Sequence, residues 1–173
     1  MLPTQLLSHA VVWEALLHRM PLTALVRNLG VMSKVGLLTP GSDAAQRVVA
    51  RLLDRAALRR ARVHPLALLA ALKTYAQGSG VRGAGRWSPV SQVVDALDGA
   101  FYLSFDNVPS TGKRVMLALD VSGSMVAPVH GLPFVSCREA AAAMALVTAA
   151  TEPEHRFVAF TSGTYRTAQG WNS

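Results

Sequence analysis

Two groups of side chains in this 173-residue chain have types and spacings that suit chemistry. The first is Asp120-Val121-Ser122-Gly123-Ser124, a D-x-S-x-S run at the end of the apolar segment RVMLALDV. One carboxylate and two hydroxyls on the same side of a tight loop are hard oxygen donors, which match Mg²⁺ or Mn²⁺ and suit zinc poorly. With a single formal charge from the protein, such an ion stays electropositive and seeks an acidic or phosphate oxygen. The competing reading is that Asp and Ser are common turn formers after a strand.

The second group is cationic. Between Gln46 and Arg86 stand nine Lys/Arg side chains and one acid, Asp54. Arg47, Arg51, Arg55, Arg59, Arg60 and Arg62 carry planar guanidinium forks that grip phosphate bidentately. Lys73, with Arg82 and Arg86 around a glycine-rich loop beside Trp87, makes a second cluster where a base could stack. A local excess of this kind favours a polyanion, nucleic acid before membrane. For each arginine the competing reading is a surface ion pair with Asp43 or Asp54, and for Trp87 it is core packing.

Other motifs carry less. Ser110-Thr111-Gly112-Lys113-Arg114 lacks the first glycine and the following Ser/Thr of a phosphate loop. Asp120 lacks the second acid two residues on that an aspartyl-nucleophile phosphatase uses, because Ser122 stands there. Cys137 has no paired base at an informative spacing, and the five histidines show no ligand spacing. No general base accompanies the Asp120 loop, so a non-enzymatic protein is expected, with a metal-using hydrolase the weakest alternative.

Composition sets the frame for these groups. With 51% hydrophobic and 16% charged residues, the chain can bury a core and is not intrinsically disordered. Its 17 Lys+Arg against 10 Asp+Glu give a net charge of +7. No apolar run reaches the ~18 residues of a spanning helix, so no membrane partner is expected. The N-terminus has no basic region before an apolar block, and a lone cysteine makes no internal disulfide. A reducing, cytoplasmic location is the expectation.

The first hundred residues read as short helices. Ser8 or Thr4 caps the first, and Pro21 ends it and opens a second from Leu22 to about Met32, stopped by Gly36. Ser42 caps a third, which buries Val48, Val49, Leu52 and Leu53, and Asp54 restarts the helix one turn on. His64-Pro65 opens a fourth, apolar enough through Tyr75 to be central. Ser88-Pro89 caps a fifth that runs to about Phe105. Paired helices with short turns indicate an α-solenoid. At Asp106-Asn107-Val108-Pro109-Ser110 the character changes, placing a domain boundary near 109–112. Then come a strand at 114–121, an alanine-rich helix at 140–150 and a strand at 156–160, the opening βαβ unit of a doubly wound sheet. The D-x-S-x-S run thus falls at a strand's carboxyl end, where ligands of open α/β sheets collect.

LALDVSGSM resembles the metal-ion-dependent adhesion site of von Willebrand factor A domains. HAVVWEALLHRMPLTALVRNLG, ARVHPLALLAALKTYAQGSGVRG, RWSP and ALDGAFY…TGKR resemble, in order, the TROVE module of the Ro ribonucleoproteins. The resemblance implies HEAT-like α-solenoid helices at 1–109, the C-terminal part of that module. At 110–173 it implies the N-terminal part of a von Willebrand A-like domain, incomplete here. It implies RNA as the partner, small structured Y-like RNAs and the single-stranded ends of misfolded RNA, with no DNA specificity. It makes Asp120, Ser122 and Ser124 ligands of a divalent cation, Mg or Mn, completed in the family by a Thr and an Asp from later loops. A metal-dependent protein-interaction module using that loop is the alternative function.

Those later loops are not in the sequence, and Phe160-Thr161-Ser162-Gly163 has no acid where related sequences tend to carry one. A fragment, a degraded gene or one piece of a split protein is expected, with a site that holds metal weakly on its own. A sheet edge and an apolar face are left uncovered, so the chain is expected to aggregate or to pair with a complementary protein segment.

Overall fold

The computed structural model describes residues 9–80 and 85–161, with the backbone alone of 165–167 and 170–172. Its contacts divide the chain into two compact units, Met1–Pro109 and Ser110–Ser173.

Among the described residues of the first unit, six α-helices follow one another: α1 (Ala10–Leu17), α2 (Leu22–Lys34), α3 (Asp43–Leu52), α4 (Arg55–Ala61), α5 (Pro65–Gln77) and α6 (Ser91–Leu103). Local capping chemistry explains several starts. Ser42 Oγ accepts the Ala45 amide, Asp54 that of Ala57, and His64 Nδ1 that of Leu66, each satisfying a first-turn N–H. Pro65 then sits at the first helical position, where its missing N–H costs nothing. The caps expected at Ser8 or Thr4 lie outside the described residues.

Helix α6 packs against α3 and α5, and α2 against α5. Leu25, Met32, Val48, Leu52, Leu58, Leu68, Val93 and Leu97 fill the core between them. Tyr75 is the polar tie: its hydroxyl shares a hydrogen bond with Ser33 Oγ (2.8 Å) and accepts the Val90 N–H (3.2 Å).

Three details differ from the sequence pattern. The helix expected from Ser88-Pro89 begins at Ser91 after an extended Val90, with no side-chain cap, and the Val90 amide is taken by the Tyr75 hydroxyl. Helix α5 packs between α2 and α6, as its apolar sequence suggests, but buries only Pro65, Leu68 and Tyr75 fully, and Ala67, Ala70 and Ala71 line an open groove beside α2. Leu53 is exposed and Val49 half-buried, because Asp54 ends the helical run there and turns Leu53 outward.

In the second unit, β1 (Val115–Asp120) pairs in parallel with β4 (His155–Phe160), in register from Val115 opposite His155 to Asp120 opposite Phe160. Between them come β2 (Pro128–Val129), β3 (Leu132–Ser136) and α7 (Cys137–Thr151). A full capping box starts α7: Ser136 Oγ accepts the Glu139 amide, and the Glu139 carboxylate accepts the Ser136 amide. The β2–β3 hairpin is an element the sequence pattern does not suggest. It turns at His130-Gly131, with Gly131 in the left-handed region at φ +79°, which glycine adopts without steric cost. A second antiparallel pair, β5 (Tyr165–Thr167) with β6 (Gly170–Asn172), extends the expected strand–helix–strand order.

Glu152, buried just after α7, fastens the start of this unit. It accepts the Thr111 N–H (2.7 Å) and the Ser110 hydroxyl (2.9 Å).

Candidate nucleic-acid interface and strand-end loop

The six arginines from 47 to 62 divide into two kinds. Arg47 and Arg51, one turn apart on α3, both reach α1. Arg47 forms an ion pair with Glu14 and lies 3.1 Å from His18 Nε2. Arg51 donates to the Leu17 carbonyl (2.7 Å) and to the Met20 carbonyl. A cation at the carboxyl end of a helix satisfies carbonyls that have no intrahelical partner and opposes the negative end of the dipole. These two guanidiniums therefore join helices.

Arg55 meets Asp106 at 3.3 Å, with both side chains well exposed, an arrangement worth little in water. Arg59, Arg60 and Arg62 differ from all three. They are exposed at the end of α4 and have no acidic partner among the described residues. Arg62 is the helix C-cap at φ +48°, a left-handed conformation costly for a side chain with a Cβ. Asn107 seals this turn by donating to the Leu58 carbonyl (3.2 Å) and the Val63 carbonyl (2.9 Å). The cluster thus sits on a rigid end and not on a loose loop.

The second cationic cluster does not assemble as the spacing suggests. Lys73 is half-buried on α5, Arg86 is exposed, and Arg82 lies outside the described residues. Arg86 pairs with Ser79 in a single β-bridge that closes the loop base, beside a Trp87 N–H to Gly78 carbonyl bond (2.9 Å). Trp87 is a packing residue. Its indole N–H donates to the Tyr75 carbonyl (3.0 Å) and its ring stacks near Tyr75 (centroids 6.2 Å apart). A Cβ on Gly30 would meet the Trp87 ring at 2.7 Å, so only glycine fits beneath it.

The D-x-S-x-S loop lies at the carboxyl tip of β1. The Ser122 N–H donates to Asp120 Oδ1 (2.8 Å), and the Ser122 and Ser124 hydroxyls lie 3.0 Å apart. Ser122 is buried and Ser124 exposed. The Ser122 amide, then its hydroxyl, holds the Asp120 carboxyl below its ordinary value against an opposing effect of burial. Arg138, in the first turn of α7, donates to the Ser122 carbonyl (3.3 Å). One carboxylate and two hydroxyls fit part of the coordination of a hard divalent ion. Among the described residues no group of three or more His, Cys, Asp or Glu could hold a metal.

Sequence reasoning does not find Asn107, Glu152 or Arg138. Each acts on backbone groups distant in sequence, and only the fold brings them together.

Packed helices carrying an unpaired arginine cluster, followed by a parallel β unit with an Asp-Ser-Ser loop at its first strand's tip, define a helical-repeat protein joined to a von Willebrand A-like lobe. Residues 1–113 match the model of the TROVE domain, and the chain belongs to that family. Residues 114–170 match the Ro60 vWA domain. The chain is 48% identical over 160 residues to a Caenorhabditis elegans protein named RNA-binding protein RO60, covering 92% of this chain and 24% of that one. It is 52% identical over 147 residues to the protein of the same name from Deinococcus radiodurans, covering 84% and 28%. The crystal structure of the Deinococcus radiodurans RO (RSR) protein superposes with a TM-score of 0.83 at 50% identity, over 88% of this chain and 31% of that one. The chain thus spans about a quarter of the length of these curated relatives.

Proposed function

We propose that this chain binds RNA as part of a Ro-type ribonucleoprotein, holding small structured Y-like RNAs and the single-stranded ends of misfolded RNA without chemical turnover. One observation carries the reading: Arg59, Arg60 and Arg62 stand exposed and unpaired on a rigid helix end, in a chain about half identical to proteins named RNA-binding protein RO60. The neighbouring Arg47 and Arg51 are held by protein partners, which leaves the 59–62 cluster as the phosphate-facing part of the arginine run.

The test is RNA affinity against salt concentration. Replacing Arg59, Arg60 and Arg62 by Gln is expected to weaken binding across sequences. It should also flatten the salt dependence by about one unit of slope for each phosphate that no longer meets a cation. Affinity and slope unchanged by the triple substitution overturn the reading.

Within the same proposal, Asp120, Ser122 and Ser124 would hold Mg²⁺ or Mn²⁺. The ion would supply an open, electropositive position for an acidic oxygen. The exposed apolar face of the β1–β4 sheet would be covered by a complementary protein segment, and the setting would be cytoplasmic.

A further inference from the structure

Between α2 and α5 lies an open groove of about 430 Å³. Its walls are low because small residues recur on the facing turns: Gly30 on α2, and Ala67, Ala70 and Ala71 on α5. Trp87, half-buried and pinned by its hydrogen bond to the Tyr75 carbonyl, lines it as well, so the accessible aromatic part of the lining is preformed. Thr23 and Thr74 bring hydroxyls to it. Arg27, exposed, stands on α2 with no acidic partner among the described residues.

We propose that this groove seats one nucleotide of a single-stranded RNA. The base lies against the alanine and aromatic lining, a threonine hydroxyl bonds its edge, and Arg27 takes the adjoining phosphate. This rests on the RNA-binding reading and adds a second site, on different helices from the arginine cluster of α4. The charge decides the occupant. An apolar protein side chain would leave Arg27 without a counter-charge, whereas a nucleotide supplies a flat apolar ring and an anion one sugar apart. The size agrees, since a cleft of this volume is at the small end of ligand sites and suits a single ring system better than a row of helix anchors. Sequence tolerance follows too, because every base offers a π-face while few groups here can read its edge.

The experiment measures binding of the full chain to a short fluorescent oligouridylate and to the same strand with its bases removed. A seated base predicts at least about fivefold weaker binding of the abasic strand. Ala70→Leu, which fills the groove, and Arg27→Gln should each weaken oligouridylate by a similar factor, with little effect of Ala70→Leu on the abasic strand. Since Ala70→Leu could disturb folding, a second measurement uses the unaltered chain: uridine monophosphate should shift the Trp87 indole N–H resonance, and Arg27→Gln should reduce that shift. Equal affinity for the two strands together with an unmoved Trp87 signal overturns the groove site. If the Arg59/Arg60/Arg62 substitutions still weaken binding in that case, the RNA reading stands without it. Absence of binding to any RNA by the unaltered chain removes both.

Discussion

The two units handle their apolar surface in opposite ways. In the helical unit every helix contributes to one enclosed core, and Leu25, Met32, Val48, Leu52, Leu58, Leu68 and Leu97 are at most 1% exposed. In the β unit the enclosed side chains are mainly Val135 and the small residues of α7, Ala143, Ala145 and Val147. On one face of the β1–β4 pair, Met116 is 72%, Val158 47% and Phe160 53% exposed. A parallel sheet is ordinarily covered on both faces, and α7 packs on β1 here while β4 stays open. The helical unit therefore encloses most of its large apolar side chains, and the β unit leaves a larger share of its own on an open sheet face.

The largest effect that tests this contrast is a core truncation. Leu97→Ala should cost about 2–5 kcal/mol in denaturant unfolding, because Leu97 is fully enclosed by neighbouring helices. The equivalent loss on the open sheet face, Val158→Ala, should change stability by no more than about 0.5 kcal/mol. Comparable costs at the two positions would break the contrast.

Arg51→Gln comes next, at about 1.5–3 kcal/mol, because the Leu17 carbonyl at the end of α1 and the Met20 carbonyl in the turn after it are deprived of a charged donor. Arg60→Gln, on an exposed unpaired cation, should leave the denaturation midpoint nearly unchanged. This pair sharpens the division between arginines that hold helices together and those left for phosphate, since only the second kind should change RNA affinity without changing stability.

That division also marks what the sequence can show. Signals acting within a few residues are legible: the caps at Ser42, Asp54 and His64, and the position of the Asp120 loop at a strand tip. Interactions across many residues are not. Nothing near Arg47 or Arg51 announces Glu14 or the Leu17 carbonyl, 33 and 34 residues away, so the six arginines look alike in the sequence. Arg62 cannot be read as left-handed, because the side chain sealing its turn is Asn107. The β2–β3 hairpin escapes because Pro128 and Pro133 weaken any strand signal in a stretch whose turn is the single dipeptide His130-Gly131. The open groove beside α5 is not legible because an apolar stretch reports a face to bury without saying whether another element covers all of it.

Self-association should follow from the open face. Val158→Thr with Phe160→Gln is expected to lower light scattering at micromolar concentration while leaving the unfolding free energy within about 0.5 kcal/mol. Cooperative unfolding of a strictly monomeric unaltered chain would show that the exposed face is no liability.

The smallest effect concerns acid, and it separates the units by where their carboxylates are held. The Thr111 amide, against the opposing effect of burial and with help from the Ser110 hydroxyl, holds the Glu152 carboxyl below its ordinary value of 4.5. A carboxyl whose folded value is depressed binds protons less readily in the folded state. Its contribution is therefore complete above the ordinary carboxylate range and is lost as pH falls through the depressed folded value. Asp120 acts in the same direction through the Ser122 amide. Acid should therefore loosen the β unit through these two carboxyls. Glu152→Gln should flatten the decline of β-unit amide protection below the ordinary carboxylate range and leave that of the α6 amides unchanged. The measurement is hydrogen exchange at stepped pH, and simultaneous loss of protection in both units would mean that they unfold as one.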